Sequence, residues 1–192
     1  TMKHHYRPDM SCYHVVDYDS LTGSVRSRVT AQGYADSSAW ARGQAWGLYG
    51  YTLCYRYTHD PRYLKQAEEI ARFIFTNRNL PSDLVPYWDY DVPNIEAEPR
   101  DASAAAITAS ALYELSTYAG KKQGKAYKKL ADRIVRTLGS PAYRAELGEN
   151  GYFVLMHSTG NKPGPSEVDV PLVYADYYFL EALKRKRDLE AR

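Results

Sequence analysis

Leu48 and Tyr49 stand 64 residues before Leu112 and Tyr113, and the same offset carries Tyr63, Lys65, Ala67, Ile70 and Arg72 onto Tyr127, Lys129, Ala131, Ile134 and Arg136. One offset shared by two consecutive segments and the connection between them marks a repeated unit. Each unit reads as a pair of helices. The first begins at Ser38, where Ser37 or Ser38 can cap, and runs with recurring apolar and aromatic positions through Tyr57. Its partner opens with Asp60 as N-cap and Pro61 at the first helical position, and sets Tyr63, Ala67, Ile70 and Ile74 on one face. In the next unit Asp101 or Ser103 starts "AAAITASALYELSTYAG", which stops at a glycine, and an amphipathic helix follows from about Lys125 to Leu138. A last helix, "LVYADYYFLEALKRK", opens a third unit at a slightly larger offset.

Within each unit the first helix is rich in alanine and aromatics and poor in charge, so it is buried on most sides. The second carries "KQAEEIAR" or "KKLADRIVR", charged on one face, and belongs to an outer layer. Inner and outer helices in this arrangement describe an all-α fold, an α/α toroid of helical hairpins. Ahead of it, "YHVV" and "VRSRVT" flank the turn "YDSLTG" and predict a short hairpin or extended loop. The loops before the inner helices, "RVTAQGYADSS", "VPYWDYDVPNIEAEPRD" and "GNKPGPSEVDVP", should share one rim of the toroid. Long loops converging on one end of a rigid scaffold usually carry function.

At that rim the sequence places "WARGQAW", residues 40 to 46. Arginine grips carboxylates in a fork and stacks on aromatics, and indole faces suit sugar rings. The same seven residues also fit a buried aromatic cluster with a structural ion pair; the position at the rim favours a ligand site. Other functions are disfavoured by composition. A formal charge of +2, with no basic stripe carrying interleaved aromatics, argues against nucleic acid. The cationic run "KRKRD" reads as a solvated tail that complements a helix dipole. No apolar run approaches the length of a membrane span, and "TMKHHYRPDM" has no apolar core of a signal peptide. Cys12 and Cys54 make neither a disulfide framework nor a metal cluster. Tyrosine is abundant, 19 of 192 residues, which suits a cleft lined by flat amphipathic rings or equally a style of helix packing.

"YHVVDYD", "QGYADSSAWARGQAWGLYGY", "VPYWDYD", "RDASAAAITASALYEL" and "EVDVPLVYADYYFLEAL" together resemble glycoside hydrolase family 88, the unsaturated glucuronyl hydrolases, in order along nearly the whole chain. Family 105, the unsaturated rhamnogalacturonyl hydrolases, is more like "ARGNGW" at this helix. The resemblance implies an (α/α)6 barrel acting on oligosaccharides that end in a 4,5-unsaturated uronic acid. A carboxylic acid protonates the vinyl ether, water adds at C5, and the hemiketal opens and releases the sugar, without metal or organic cofactor. It further implies that Arg42 sits in the uronate subsite, that Trp40 and Trp46 form an aromatic platform, and that His14, Gln32 and Thr30 line the same pocket. The loop with His157, Ser158 and Lys162 corresponds to the region contacting the next sugar or its sulfate.

The family's two catalytic aspartates lie upstream of everything matched here, and three units of 64 fill 192 residues where a ring needs six. The chain is therefore expected to be a single domain forming the C-terminal half of the toroid, with no catalytic residue of its own. Asp36 and Asp101 read as helix caps; Asp89 and Asp91 are the only stand-in acids. A half ring leaves apolar flanks open, so the chain should dimerise, complete itself with the missing half, or dissolve poorly. The alternatives are a family 105-like enzyme, a non-catalytic carbohydrate-binding module that keeps "WARGQAW", and a purely structural repeat. Nothing in these residues distinguishes a cytoplasmic from a periplasmic location in a bacterium.

Overall fold

The computed structural model describes residues 1–191. A two-stranded antiparallel hairpin, β1 (Val15–Tyr18) and β2 (Val25–Val29), precedes five helices: α1 (Ala41–Thr58), α2 (Pro61–Thr76), α3 (Ala102–Tyr118), α4 (Lys121–Leu138) and α5 (Val173–Glu190). The helices alternate between two layers. α1, α3 and α5 stand side by side, while α2 backs α1 and α4 backs α3. The 64-residue repeat reappears as packing: Leu48 and Leu112, Ala67 and Ala131, and Ile70 and Ile134 are all fully buried. Each buried Leu or Ile contributes about 1.5–3 kcal/mol relative to exposure.

α3 is the hub. Its alanines at 102, 104, 105, 106, 109 and 111 are buried, and their small side chains let α1, α4 and α5 approach on three sides. Asp101 caps it, accepting from the backbone N–H groups of Ser103 and Ala104. Asp60 likewise caps α2, accepting from Arg62 N at 2.9 Å with Pro61 following. α1 ends where His59 takes a left-handed conformation and donates its N–H to Tyr55 O.

Two helix starts and two side-chain roles differ from expectation. α1 starts at Ala41 rather than Ser38, with no side-chain cap; Ser38 Oγ instead donates to Asp89 Oδ2 (2.7 Å) and accepts from Ala35 N (3.0 Å). Asp36 does not cap α1 but accepts from Thr30 N. α4 starts at Lys121, four residues before the expected Lys125, and takes Gly124 into its first turn as a close contact with α3. A Cβ there would drive into the Ser116 carbonyl of α3. The "KRKRD" run lies within α5, and Arg185 is no solvated cation: it pairs with Glu114 at 2.8 Å and Glu181 at 3.4 Å.

The flanks of the inner layer remain open. α5 buries Ala175, Phe179 and Ala182 but exposes Val173, Tyr177 and Leu180 on its other side. Among the described residues no helix is long and apolar enough to cross a membrane, and no cluster of three or more His, Cys, Asp or Glu side chains is placed to hold a metal ion.

Candidate functional site

The hairpin register sets the first pair of site residues. Val15 pairs with Val29, which brings His14 beside Thr30 just beyond the strand ends. There His14 Nδ1 meets the backbone N–H groups of Ala31 (3.1 Å) and Gln32 (3.0 Å) and the Thr30 hydroxyl (3.4 Å). Thr30 Oγ1 in turn accepts from Gly33 N, closing the turn.

The loops ahead of α1, α3 and α5 lace together at one end of the helical layer. Tyr90 N donates to Ala39 O and Ala41 N to Trp88 O, joining the first two loops. Ala102 N donates to His157 O and Thr159 Oγ1 to Arg100 O, joining the second and third, while Ser158 pairs with Val170 within the third. Gln32 Nε2 reaches across to Gly160 O at 3.0 Å. The expected common rim is present.

Trp40 packs against both His14 and Arg42. The His14 ring lies 4.4 Å from it with 30° between planes, and the Arg42 guanidinium sits 4.5 Å from the indole centroid. This assembly borders a cavity of about 570 Å³ between α1 and the N-terminal segment. His14, Gln32, Trp40 and Trp46 line it together with His5, Tyr6, Tyr13 and the glycine face of α1, Gly43, Gly47 and Gly50. Burial and the nearby Arg42 charge push His14 below the ordinary histidine range. Trp46 also packs edge-on against Tyr178 of α5 and Tyr49, so only part of it is a platform.

Other expected site residues stand outside the cavity wall. Arg42 is 3% exposed, and the carboxylate it holds is Asp101, Nη1 to Oδ2 2.8 Å. Its remaining hydrogen bonds go to the carbonyls of Thr159 and Gly160. The anticipated fork on a ligand carboxylate is thus replaced here by an ion pair that fastens two helix starts and the third loop. Thr30 works through His14. Ser158 is fully buried, and its backbone, not its hydroxyl, is engaged. Lys162 pairs with Glu98, which also accepts from Trp88 Nε1 at 2.7 Å. Against the upward push of burial, the hydrogen bonds from Lys162 and Trp88 hold the Glu98 carboxyl below its usual range. His157 pairs with Asp169 at 2.7 Å.

Neither stand-in acid faces the cavity. Asp89 is fully buried; Oδ2 accepts from Tyr34 N and Ser38 Oγ, and Oδ1 from Asp91 N. Burial raises its pKa against these hydrogen bonds. Asp91 accepts from Ala39 N at the approach to α1. Both position the aromatic loop. The sequence reading missed Asp101 as the partner of Arg42 and missed the N-terminal residues His5, Tyr6 and Tyr13; the small face of α1 was the available signal. A Cβ on Gly47 would collide with the Tyr6 hydroxyl.

An unsaturated glucuronyl hydrolase from Formosa agariphila is 53% identical over 189 residues, 98% of this chain and 46% of that protein. A solved unsaturated glucuronyl hydrolase, described as specific for heparin, superposes with a TM-score of 0.97 at 52% identity, covering 100% of this chain and 51% of that one. The chain belongs to the unsaturated glucuronyl hydrolase family. A more distant member, the unsaturated chondroitin disaccharide hydrolase of Streptococcus pyogenes, is 37% identical over 95% of this chain and 45% of its own length. No protein-family model matches the chain. The chain spans about half the length of the curated relatives it matches, and its five helices and hairpin form about half of the family's (α/α)6 barrel.

Proposed function

We propose that this chain is the sugar-binding, C-terminal half of an unsaturated glucuronyl hydrolase acting on glycosaminoglycan oligosaccharides that carry a terminal 4,5-unsaturated uronic acid. The observation that supports this most is the packing of Trp40 against His14 and Arg42 in the wall of the cavity of about 570 Å³. Its indole is packed against the His14 ring and the Arg42 guanidinium and is almost wholly buried, so it is fixed before any ligand arrives. A preorganised aromatic surface loses little freedom on binding. Gln32 and His14 add polar contacts beside it, the composition expected of a site for a flat, hydroxylated ring.

In this reading Arg42 serves the uronate through its charge behind Trp40 and by holding the loop at Thr159 and Gly160, not by direct contact. Hydration of the vinyl ether requires a carboxylic acid that delivers a proton to the double bond before water adds at C5. Asp89 and Asp91 are spent on backbone N–H groups. The acid therefore belongs to the rest of the protein. Reaction at this site needs both halves.

Tryptophan fluorescence during titration with unsaturated disaccharides from heparin, chondroitin and pectin tests the reading. The glycosaminoglycan-derived sugars should quench saturably, and Trp40→Ala should abolish the response. Preference for the pectin-derived sugar would contradict the substrate class, and no response to any would contradict the site.

A further inference from the structure

The environment of His14 specifies more than its position. Every group within reach of Nδ1 is a donor or can be one: the Ala31 and Gln32 amides at 3.1 and 3.0 Å, and the Thr30 hydroxyl at 3.4 Å, whose oxygen is already accepting from Gly33 N. Backbone N–H groups cannot reverse polarity, so a proton on Nδ1 would face two other protons. A neutral imidazole carries one proton, and here Nε2 must hold it. Among the described residues Nε2 has no protein partner, while the ring itself lies in the cavity wall against Trp40.

We infer that His14 is a fixed neutral donor: the turn from Thr30 to Gly33 takes Nδ1, and Nε2–H is offered to an acceptor oxygen of the bound sugar. His14 is then neither a general base nor a cationic contact, since accepting a second proton would place Nδ1–H against the two amides. Thr30 is a positioning residue whose hydroxyl reinforces this state. Gly33 makes the turn possible, because a Cβ there would meet Thr30 Oγ1 and crowd the Asp89 carboxylate. The direction of the His14 pKa agrees, as burial and Arg42 both oppose the cation.

The inference rests on the carbohydrate reading for the identity of the acceptor but not for the state of the ring, and two measurements separate them. Long-range proton–nitrogen correlation on the histidine-labelled 192-residue chain at neutral pH should show His14 as the Nε2–H tautomer. An Nδ1–H tautomer or a protonated ring would overturn the inference with no sugar involved. Calorimetric titration with unsaturated chondroitin disaccharide then uses two variants. His14→Gln places an amide donor near the ε position and should keep affinity within a few-fold. His14→Asn places an acceptor near the δ position, so the turn persists and the melting temperature holds, but affinity should fall about tenfold, the loss expected for one good hydrogen bond. Unchanged affinity in a folded His14→Asn would overturn the donor role. Failure of the parent chain to bind the disaccharide, with the Nε2–H tautomer in place, would contradict the proposed function while upholding the assignment of the ring.

Discussion

Arg42 and Asp101 form a buried ion pair, 2.8 Å from Nη1 to Oδ2, at the point where α1 and α3 begin side by side. Both side chains are almost wholly excluded from solvent. Asp101 Oδ1 meanwhile caps α3 and takes the Ser103 hydroxyl, and Arg42 continues to the Thr159 and Gly160 carbonyls. A single pair thus ties the starts of α1 and α3 to each other and to the third rim loop. Such a pair is worth little against a well-packed apolar substitute, but breaking it is costly because one charge is left buried and alone.

Arg42→Ala should therefore lower stability by about 3–5 kcal/mol, read as a lower urea midpoint. Arg42→Lys should recover only part of that, since an ammonium cannot reach a carboxylate and two carbonyls with a planar fork. A urea midpoint for Arg42→Ala equal to that of the parent would mean that the pair does not hold the rim together.

Gly124→Ala should destabilise the chain by about 1–3 kcal/mol, as overpacking does. On helix propensity alone the change would be favourable by up to about 1 kcal/mol. The sign of the effect separates the two: the added Cβ would run into the Ser116 carbonyl, where α3 and α4 cross closely. Chemical denaturation of the single variant decides it.

Stability should fall as pH drops below about 6.5. The folded state holds His14 below its ordinary value of 6.5, through burial first and Arg42 second. Above that value both folded and unfolded chains carry a neutral ring and there is no difference. Below it the unfolded chain binds a proton that the folded one resists, so unfolding is favoured. His4 and His5 shift in the same direction. Melting temperatures between pH 5 and 8 should show a slope that His14→Gln makes shallower but does not remove.

Self-association is expected for the 192-residue chain on its own. Val173, Tyr177 and Leu180 form an exposed apolar stripe along α5, and Tyr57 is exposed on α1. Apolar surface of this kind marks an interface or an aggregation liability. Sedimentation should show concentration-dependent association, weakened by Leu180→Glu. A monodisperse monomer at all concentrations would contradict the reading of α5 as an open flank.

The two-layer helical fold was legible because its signal is periodic and repeated. Leu48 and Leu112, or Ile70 and Ile134, occupy equivalent buried positions, and an offset of that kind survives without any knowledge of loops. Local cap chemistry was legible at Asp60, Pro61 and Asp101 for the same reason: the partner N–H lies two or three residues away. What sequence could not give was long-range pairing. Nothing near Arg42 announces that its carboxylate is 59 residues downstream, so a residue suited to gripping a ligand reads as one that does. Asp36 and Ser38 looked like caps and serve instead as ties to Thr30 and Asp89, contacts set by how the loops cross. The close approach of Gly124 to the Ser116 carbonyl was equally illegible, because a tight backbone crossing leaves no trace in the segment that contains it.

The central claim is that this chain binds the unsaturated sugar and that the proton comes from elsewhere. It is tested most directly by following the ultraviolet absorbance of the conjugated uronate while the 192-residue chain is mixed with an unsaturated chondroitin disaccharide, and by melting the same mixture. The absorbance should stay constant while the disaccharide raises the melting temperature, and Trp40→Ala should remove that rise. Decay of the absorbance, abolished by Asp89→Asn or Asp91→Asn, would contradict the claim by showing a working acid within these residues.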